Sequence, residues 1–214
     1  IMCTSTLPEE GKTTLAAMLG VSLAEAGEKV LLIDADMRKP SLHQMFGLEN
    51  EQGLSNCLVG SIRAKDALHA IPEIPGLHII TAGDRTPNPT TLLGSHAMDQ
   101  LIQELEPDYS RIIFDVPPAL HIADGLILAG KVHGTVLVFH SGKIHRSAAK
   151  KLKERIYSAK GVIIGGVINY ADYKKLDHSY QRYYRQYAKY YHAPDRSGVQ
   201  ETAHSLSGSS SKVV

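Results

Sequence analysis

The run Thr4-Ser5-Thr6-Leu7-Pro8-Glu9-Glu10-Gly11-Lys12-Thr13-Thr14 follows an apolar start and precedes a helix-forming segment. In that setting, loop N–H groups and a helix N-terminus direct partial positive charge at phosphate. Lys12 adds a full charge at the β/γ position, and the Thr13 hydroxyl suits Mg²⁺. Gly11 gives the backbone room to approach its ligand. The pattern G-x-x-x-x-G-K-S/T is incomplete because Thr6 stands at the first glycine, and a Gly-Lys-Thr run alone is also an ordinary helix start. Two further segments tip the balance toward phosphate chemistry.

Val30-Leu31-Leu32-Ile33-Asp34-Ala35-Asp36 places two carboxylates at the carboxyl end of an aliphatic strand, two residues apart and on one face if the strand geometry continues. Ile112-Ile113-Phe114-Asp115-Val116-Pro117-Pro118 repeats the device on a later strand. An open parallel sheet binds ligands at that edge. Three acids facing Lys12 and Thr13 make a Mg²⁺-nucleotide site, with Asp as metal ligand, water holder or base. Each Asp alone also reads as a strand-end turn or helix cap; their occurrence together with Gly11-Lys12-Thr13 outweighs that reading.

The elements that must hold these residues are legible as short aliphatic runs over 30–33, 78–81, 111–114, 135–139 and 162–168. Most are continuous rather than alternating, as in strands buried on both faces of a parallel sheet. Helical patterns lie between them over 12–26, 97–105, 123–129 and 147–157. The fold class is therefore α/β, a mostly parallel sheet flanked by helices. The segment 41–89, with Pro72, Pro75, Pro87 and Pro89 at turns and short helices over 42–46 and 53–59, reads as surface elaboration.

With 214 residues, 43% of them hydrophobic, the chain suits one α/β domain with a short appendage. A net charge of +1 gives no global field for nucleic acid or membrane binding, so any such partner needs a local patch. Cys3 and Cys57 form neither a disulfide framework nor a four-ligand zinc site; they read as small buried hydrophobes in a reducing compartment. The eleven histidines show no metal-ligand spacing, and His121, His140 and His145 read as surface or supporting residues. No apolar run reaches the roughly 18 residues of a membrane span. Because the chain opens inside an apolar stretch at Ile1, an N-terminally truncated piece is expected, with any anchor upstream.

After Asn169 the composition changes. Eight of the ten tyrosines, Tyr170, Tyr173, Tyr180, Tyr183, Tyr184, Tyr187, Tyr190 and Tyr191, fall within 22 residues among Lys174, Lys175, Arg182, Arg185 and Lys189. The organisation read is a nucleotide domain over 1–169, a tyrosine cluster over 170–191 and a disordered tail over 192–214. The cluster reads as an array of phosphoacceptors, each phosphate adding about −1.5 to −2 charges. A helix carrying an aromatic stripe and a stacking surface for single-stranded nucleic acid are the other readings; the balanced charge of the chain disfavours the last.

These segments resemble the bacterial tyrosine kinases of capsular and exopolysaccharide export, P-loop proteins related to the MinD and ParA ATPases. Residues 5–14 look like that family's Walker A loop. Leu31 to Asp36 with Met37-Arg38-Lys39-Pro40 and His43 look like its Walker A′ segment, and Ile112 to Pro118 like its Walker B. Where MinD and ParA proteins carry a signature Lys, this chain has Leu7 followed by Pro8, which favours the kinase branch.

The resemblance implies an ATP- and Mg²⁺-dependent tyrosine kinase that phosphorylates its C-terminal cluster between subunits. Leu7, Pro8, Glu9, Glu10, Gly11, Lys12, Thr13 and Thr14 would hold the nucleotide and Asn169 its base, although Asn169 reads equally as a turn former. Thr13, Asp36 and Asp115 would organise the metal, with Lys12, Asp34, Asp36 and Asp115 as the catalytic set; which Asp acts as base stays open. The partners implied are other copies in a ring, a membrane-anchored polysaccharide co-polymerase-type activator and a tyrosine phosphatase, without nucleic acid, at the cytoplasmic face of the inner membrane.

Two departures stand out. Glu9 replaces the first glycine of the family's Pro-Gly-Glu-Gly-Lys, where a side chain crowds the loop unless it points into solvent, and the acidic, arginine-bearing helix upstream of the first strand is not in this chain. The alternatives are a MinD/ParA-like ATPase switch without kinase activity and a degenerate nucleotide-binding module.

Overall fold

Aliphatic runs alternating with helix-length segments build a seven-stranded sheet in the computed structural model, which describes residues 1–172. The chain runs from β1 (Met2–Ser5) through the phosphate loop into α1 (Lys12–Glu25) and on to β2 (Val30–Asp34). Two short helices, α2 (Leu42–Met45) and α3 (Leu54–Leu58), precede β3 (His69–Ala70) and β4 (Leu77–Ile80). Then come α4 (Pro89–Gly94), α5 (His96–Leu105), β5 (Arg111–Asp115), α6 (Asp124–Ala129), β6 (Thr135–His140), α7 (Arg146–Ser158) and β7 (Ile163–Asn169). The expected elements are all present, with ends displaced by one or two residues.

The spatial order is β3-β4-β2-β5-β1-β6-β7, and all pairs are parallel except β3 with β4. The connection from β1 to β2 steps over the position that β5 fills, and β6 lies on the other side of β1. The crevice of an open α/β sheet forms where the winding reverses in this way, and here that point is the end of β1. Register completes the placement: Asp115 lies beside Asp34 on one side and Cys3 on the other.

Buried strands divide their side chains between two cores. Leu31, Ile33, Met2 and Phe114 face one layer with Leu54, Met98, Leu128, Leu152 and Ile156 of the helices. Val30, Leu32, Cys3 and Ile113 face the other, against Ala16, Ala17 and Ala24 of α1. This two-sided burial explains why the strands lack polar alternation. The edge strand β7 departs from it, leaving Ile164 and Ile168 exposed.

The expected surface elaboration over 41–89 is overturned. Leu42, Leu54, Leu58, Ala64, Ala67 and Ala82 are buried with β4 in the two cores. Gly53 shows why the sequence signal was weak: a Cβ there would stand 2.2 Å from the Thr81 carbonyl oxygen, so α3 docks through backbone, with Leu54 N–H donating to Thr81 O at 2.8 Å.

Among the described residues no helix is long and apolar enough to cross a membrane. Cys3 is buried, Cys57 is half-buried, and both are free thiols. Tyr170 belongs to the described residues; Tyr173, Tyr180, Tyr183, Tyr184, Tyr187, Tyr190 and Tyr191, and the disordered tail read over 192–214, lie outside them.

Replacing Leu54 by Ala is expected to cost about 2–5 kcal/mol, the range for a fully buried leucine. Urea unfolding measures it, and a loss near zero would return this segment to the surface.

Candidate active site

The loop between β1 and α1 is shaped by backbone conformation and one internal carboxylate. Gly11 precedes α1 with φ 88° and no side chain caps that helix, whose first turn also lacks acidic residues. The N-terminal N–H groups of α1 are thus left for an anion. Asn169 packs so closely over Gly11 that a Cβ would meet its Nδ2 at 2.1 Å. Glycine is needed here for space as well as for φ.

The Glu10 side chain turns away from the cavity, so any part Glu10 takes in holding phosphate falls to its backbone. It is buried, and its Oε2 accepts hydrogen bonds from the Thr6 hydroxyl and the Leu7 N–H, both at 2.6 Å. Its Oε1 accepts from the His140 N–H at the end of β6, at 3.0 Å. The carboxylate therefore staples the loop to itself and to a neighbouring strand. The signal in the sequence was an acid inside an anion-binding loop, tolerable only if its charge is satisfied internally. Glu9, by contrast, is exposed at the cavity wall and carries φ 64°, a backbone conformation suited to glycine.

Lys12 is buried over the strand ends. Its Nζ lies 3.0 Å from Asp36 Oδ2 and 3.4 Å from Asp115 Oδ1, and it donates to Thr13 Oγ1 at 3.2 Å. Burial alone would lower the ammonium pKa, but Asp115 and Asp36 more than offset it and the net displacement is upward. Burial raises the pKa of Asp115, against the opposing pull of Lys12 and a hydrogen bond from Thr13. Asp115 Oδ2 is buried without a hydrogen-bond partner among the described residues. An orphan carboxylate oxygen beside a threonine hydroxyl and a phosphate loop fits a Mg²⁺ that is completed by nucleotide oxygens and water. Among the described residues no three His, Cys, Asp or Glu side chains form a metal set by themselves.

The two carboxylates of the β2 end separate in role. The strand stops at Asp34 and the expected common face is lost, because Asp34 Oδ1 accepts the Asp36 N–H at 3.1 Å. Asp34 Oδ2 accepts the N–H groups of Ser41 and Leu42 at 3.1 and 3.0 Å. Burial, then the charge of Asp115, push its pKa up to about 7. That value would suit a general base, yet both oxygens are engaged by backbone and Asp34 does not line the cavity. The turn-and-cap reading describes it. Asp36 does line the cavity, pairing with Lys12 through Oδ2 and accepting the Lys39 N–H at Oδ1, at 3.1 Å.

The cavity has a volume of about 580 Å³, within the range of small-molecule sites. Pro8, Glu9, Gly11, Lys12, Thr13, Thr14 and Asp36 line it together with Arg38, Lys39, Pro117, Pro118, Ile122 and Tyr170. Leu7, Glu10 and Asn169 do not, while Asp115 lies beneath Lys12 and Thr13. Arg38 is a cavity residue that motif reading left without a role. The buried Asp124 takes its Nε and Nη2 at 2.7 and 3.1 Å, and Thr90 Oγ1 accepts from the same Nη2 at 2.9 Å, fixing a cation at the rim. Asn169 anchors the far side, donating from Nδ2 to Glu10 O at 3.2 Å and accepting the Tyr170 N–H at Oδ1. A second cavity of about 610 Å³ at the opposite sheet edge has no phosphate loop in its lining.

Glu9→Gly is expected to stabilise the chain by about 0.5–1 kcal/mol in urea unfolding, since it removes a left-handed non-glycine residue. Glu10→Gln presents an NH₂ to one of three donors and is expected to cost about 1–3 kcal/mol by the same measurement. If Glu10→Gln were neutral, the staple would carry no weight.

The AAA domain family matches residues 10–138. Tyrosine-protein kinase YwqD of Bacillus subtilis is 43% identical over 185 residues, covering 86% of this chain and 76% of its own length. The putative tyrosine-protein kinase CapB of Staphylococcus aureus is 35% identical, covering 86% and 80%. Among solved structures, the kinase domain of Escherichia coli tyrosine kinase ETK superposes with a TM-score of 0.75 at 31% identity, covering 80% of this chain and 68% of that one. MinD of Pyrococcus horikoshii, solved with Mg-ADP, is alike in fold at a TM-score of 0.65 and 21% identity, covering 78% and 68%. With a buried lysine over paired strand-end aspartates and relatives of this identity and coverage, the chain belongs to the bacterial tyrosine-protein kinases, P-loop enzymes of the MinD-like fold.

Proposed function

We propose that this chain transfers the γ-phosphoryl group of ATP to tyrosine hydroxyls of its own C-terminal cluster, chiefly between copies, with Mg²⁺ as cofactor. The observation that carries the reading is the pairing of Lys12 with Asp36 and Asp115 while Asp115 Oδ2 stays unpartnered among the described residues, at the floor of a cavity walled by a phosphate loop. Phosphoryl transfer asks the protein mainly for positioning and charge neutralisation.

The N–H groups at the start of α1 and the Lys12 ammonium take the β/γ-phosphate oxygens. Lys12 exchanges Asp36 for phosphate on doing so, which frees an Asp36 oxygen on the cavity wall to accept the proton of the attacking phenol. Thr13 and Asp115 would hold Mg²⁺, which when bound neutralises charge on the phosphate oxygens. Arg38, fixed by Asp124, and Lys39 present further cations at the rim where an incoming acceptor meets the nucleotide. Asn169, stationed on the loop, is the candidate for the base edge.

The acceptors proposed are Tyr170 and the seven tyrosines from Tyr173 to Tyr191, whose basic neighbours suit an acidic, metal-bearing site. Relatives carrying the name tyrosine-protein kinase, and a chimerical protein CapA2B2 at 35% identity and a TM-score of 0.75, support a role in capsule or exopolysaccharide production. Regulation by a membrane-anchored activator at the cytoplasmic face, assembly into rings and reversal by a tyrosine phosphatase complete the proposal.

Incubation with Mg-ATP followed by mass spectrometry of the peptides spanning 170–191 tests it. Phosphate on these tyrosines is expected, reduced about a hundredfold or more in Lys12→Met and in Asp36→Asn, and abolished by EDTA. ATP hydrolysis without any phosphotyrosine would favour the switch ATPase instead.

A further inference from the structure

Tyr170 is the tyrosine of the tract that the described fold holds against the phosphate loop. Asn169 Oδ1 accepts its N–H at 2.9 Å, and the chain turns there with φ 55°, a left-handed conformation that a non-glycine residue keeps only when its surroundings impose it. The ring stacks on His140 with centroids 4.4 Å apart and planes 23° from parallel. His140 is itself tied to the loop through Glu10 Oε1. Tyr170 Cε2 lies 3.8 Å from where a Cβ on Gly11 would stand. The ring lines the same cavity as Lys12, Thr13, Arg38 and Lys39, yet 58% of the residue remains exposed, so it is open to modification.

We propose that Tyr170 is a phosphoacceptor that governs the nucleotide site of its own subunit: unmodified, it walls the cavity, and phosphorylated, it excludes the nucleotide. The inference rests on the autophosphorylation reading above. In the step, the Tyr170 phenolic oxygen bonds to the γ-phosphorus of ATP held by another copy, while the bond from that phosphorus to the ADP oxygen breaks. The phenolic proton passes to the Asp36 carboxylate of the copy holding the ATP, and ADP leaves.

The product places about −1.5 to −2 charges at the wall of a cavity that must accept a polyanion. It also supplies phosphate oxygens that compete for Lys12, Arg38 and Lys39. Modification of this position then ends nucleotide binding in the subunit that carries it.

Phosphotyrosine is installed by genetic encoding at position 170, and as a control at position 157 on α7, an exposed tyrosine outside the cavity lining, in the full chain, and Mg-ATP binding is measured by calorimetry. The expected result is at least a tenfold loss of affinity for the position 170 form, diminished at high salt and reversed by phosphatase treatment. The position 157 form should stay within twofold of the unmodified chain. On prolonged incubation with Mg-ATP the parent should lose nucleotide affinity while Tyr170→Phe keeps its own starting value.

Unchanged affinity in the position 170 form overturns the proposal, as does an equal loss in the position 157 form. Phosphate that reaches residues 173–191 but never Tyr170 overturns it too. Absence of phosphate from every tyrosine instead sinks the autophosphorylation reading on which it rests.

Discussion

The site depends on one ammonium group held between two carboxylates from different strands. Taking Lys12, Asp36 and Asp115 out of water together is expensive, and a buried ion pair often contributes little net stability for that reason. Its use here is positional. The β1–β5 and β2–β5 registers bring Asp115 and the β2 terminus to one level of the sheet edge, and Lys12, at the first turn of α1, reaches down to both. Phosphate oxygens can replace either carboxylate as partner of the lysine, so the unliganded arrangement already has the charge pattern that the ligand needs. The apolar layers on both faces of the sheet keep those strand ends in register.

A second constraint is that an anion-binding loop contains two acids. Glu10 is reconciled by turning inward, where three donors from the loop and from β6 satisfy it. Glu9 stays exposed at the cavity wall, on a left-handed backbone. The same logic holds Arg38: a guanidinium left to itself would sample many rotamers, whereas the fork on buried Asp124 presents it in one place. Glu10 and Arg38 are each fixed by a donor or charge remote in sequence.

What could be read in the sequence follows from this. Lys12, Thr13, Asp36 and Asp115 announce themselves because their spacing relative to strand ends is local, and the alternation of aliphatic runs with helices was sufficient for the fold class. Asp34 misled because its type and position match a catalytic acid, and only the tertiary path of residues 36–42 shows its oxygens occupied by backbone. The segment 41–89 misled because turn residues dominate it while its buried leucines are spaced by tertiary contacts rather than by a helical or strand period. The Glu10 staple, the Asp124 clamp and the Tyr170–His140 stack join residues far apart in sequence, which no short motif can express.

The closure of the loop onto β6 and β7 also bears on biosynthesis. Glu10 meets His140 across 130 positions and Asn169 across 159, so the cradle cannot be completed while the chain is still emerging past its first strands. Contacts of such separation form late, after the intervening segments have collapsed. A nascent chain that exposes Gly11, Lys12 and Thr13 is therefore without a finished nucleotide pocket until translation has passed β7. By then Tyr170, the residue directly after that strand, is the next to be added.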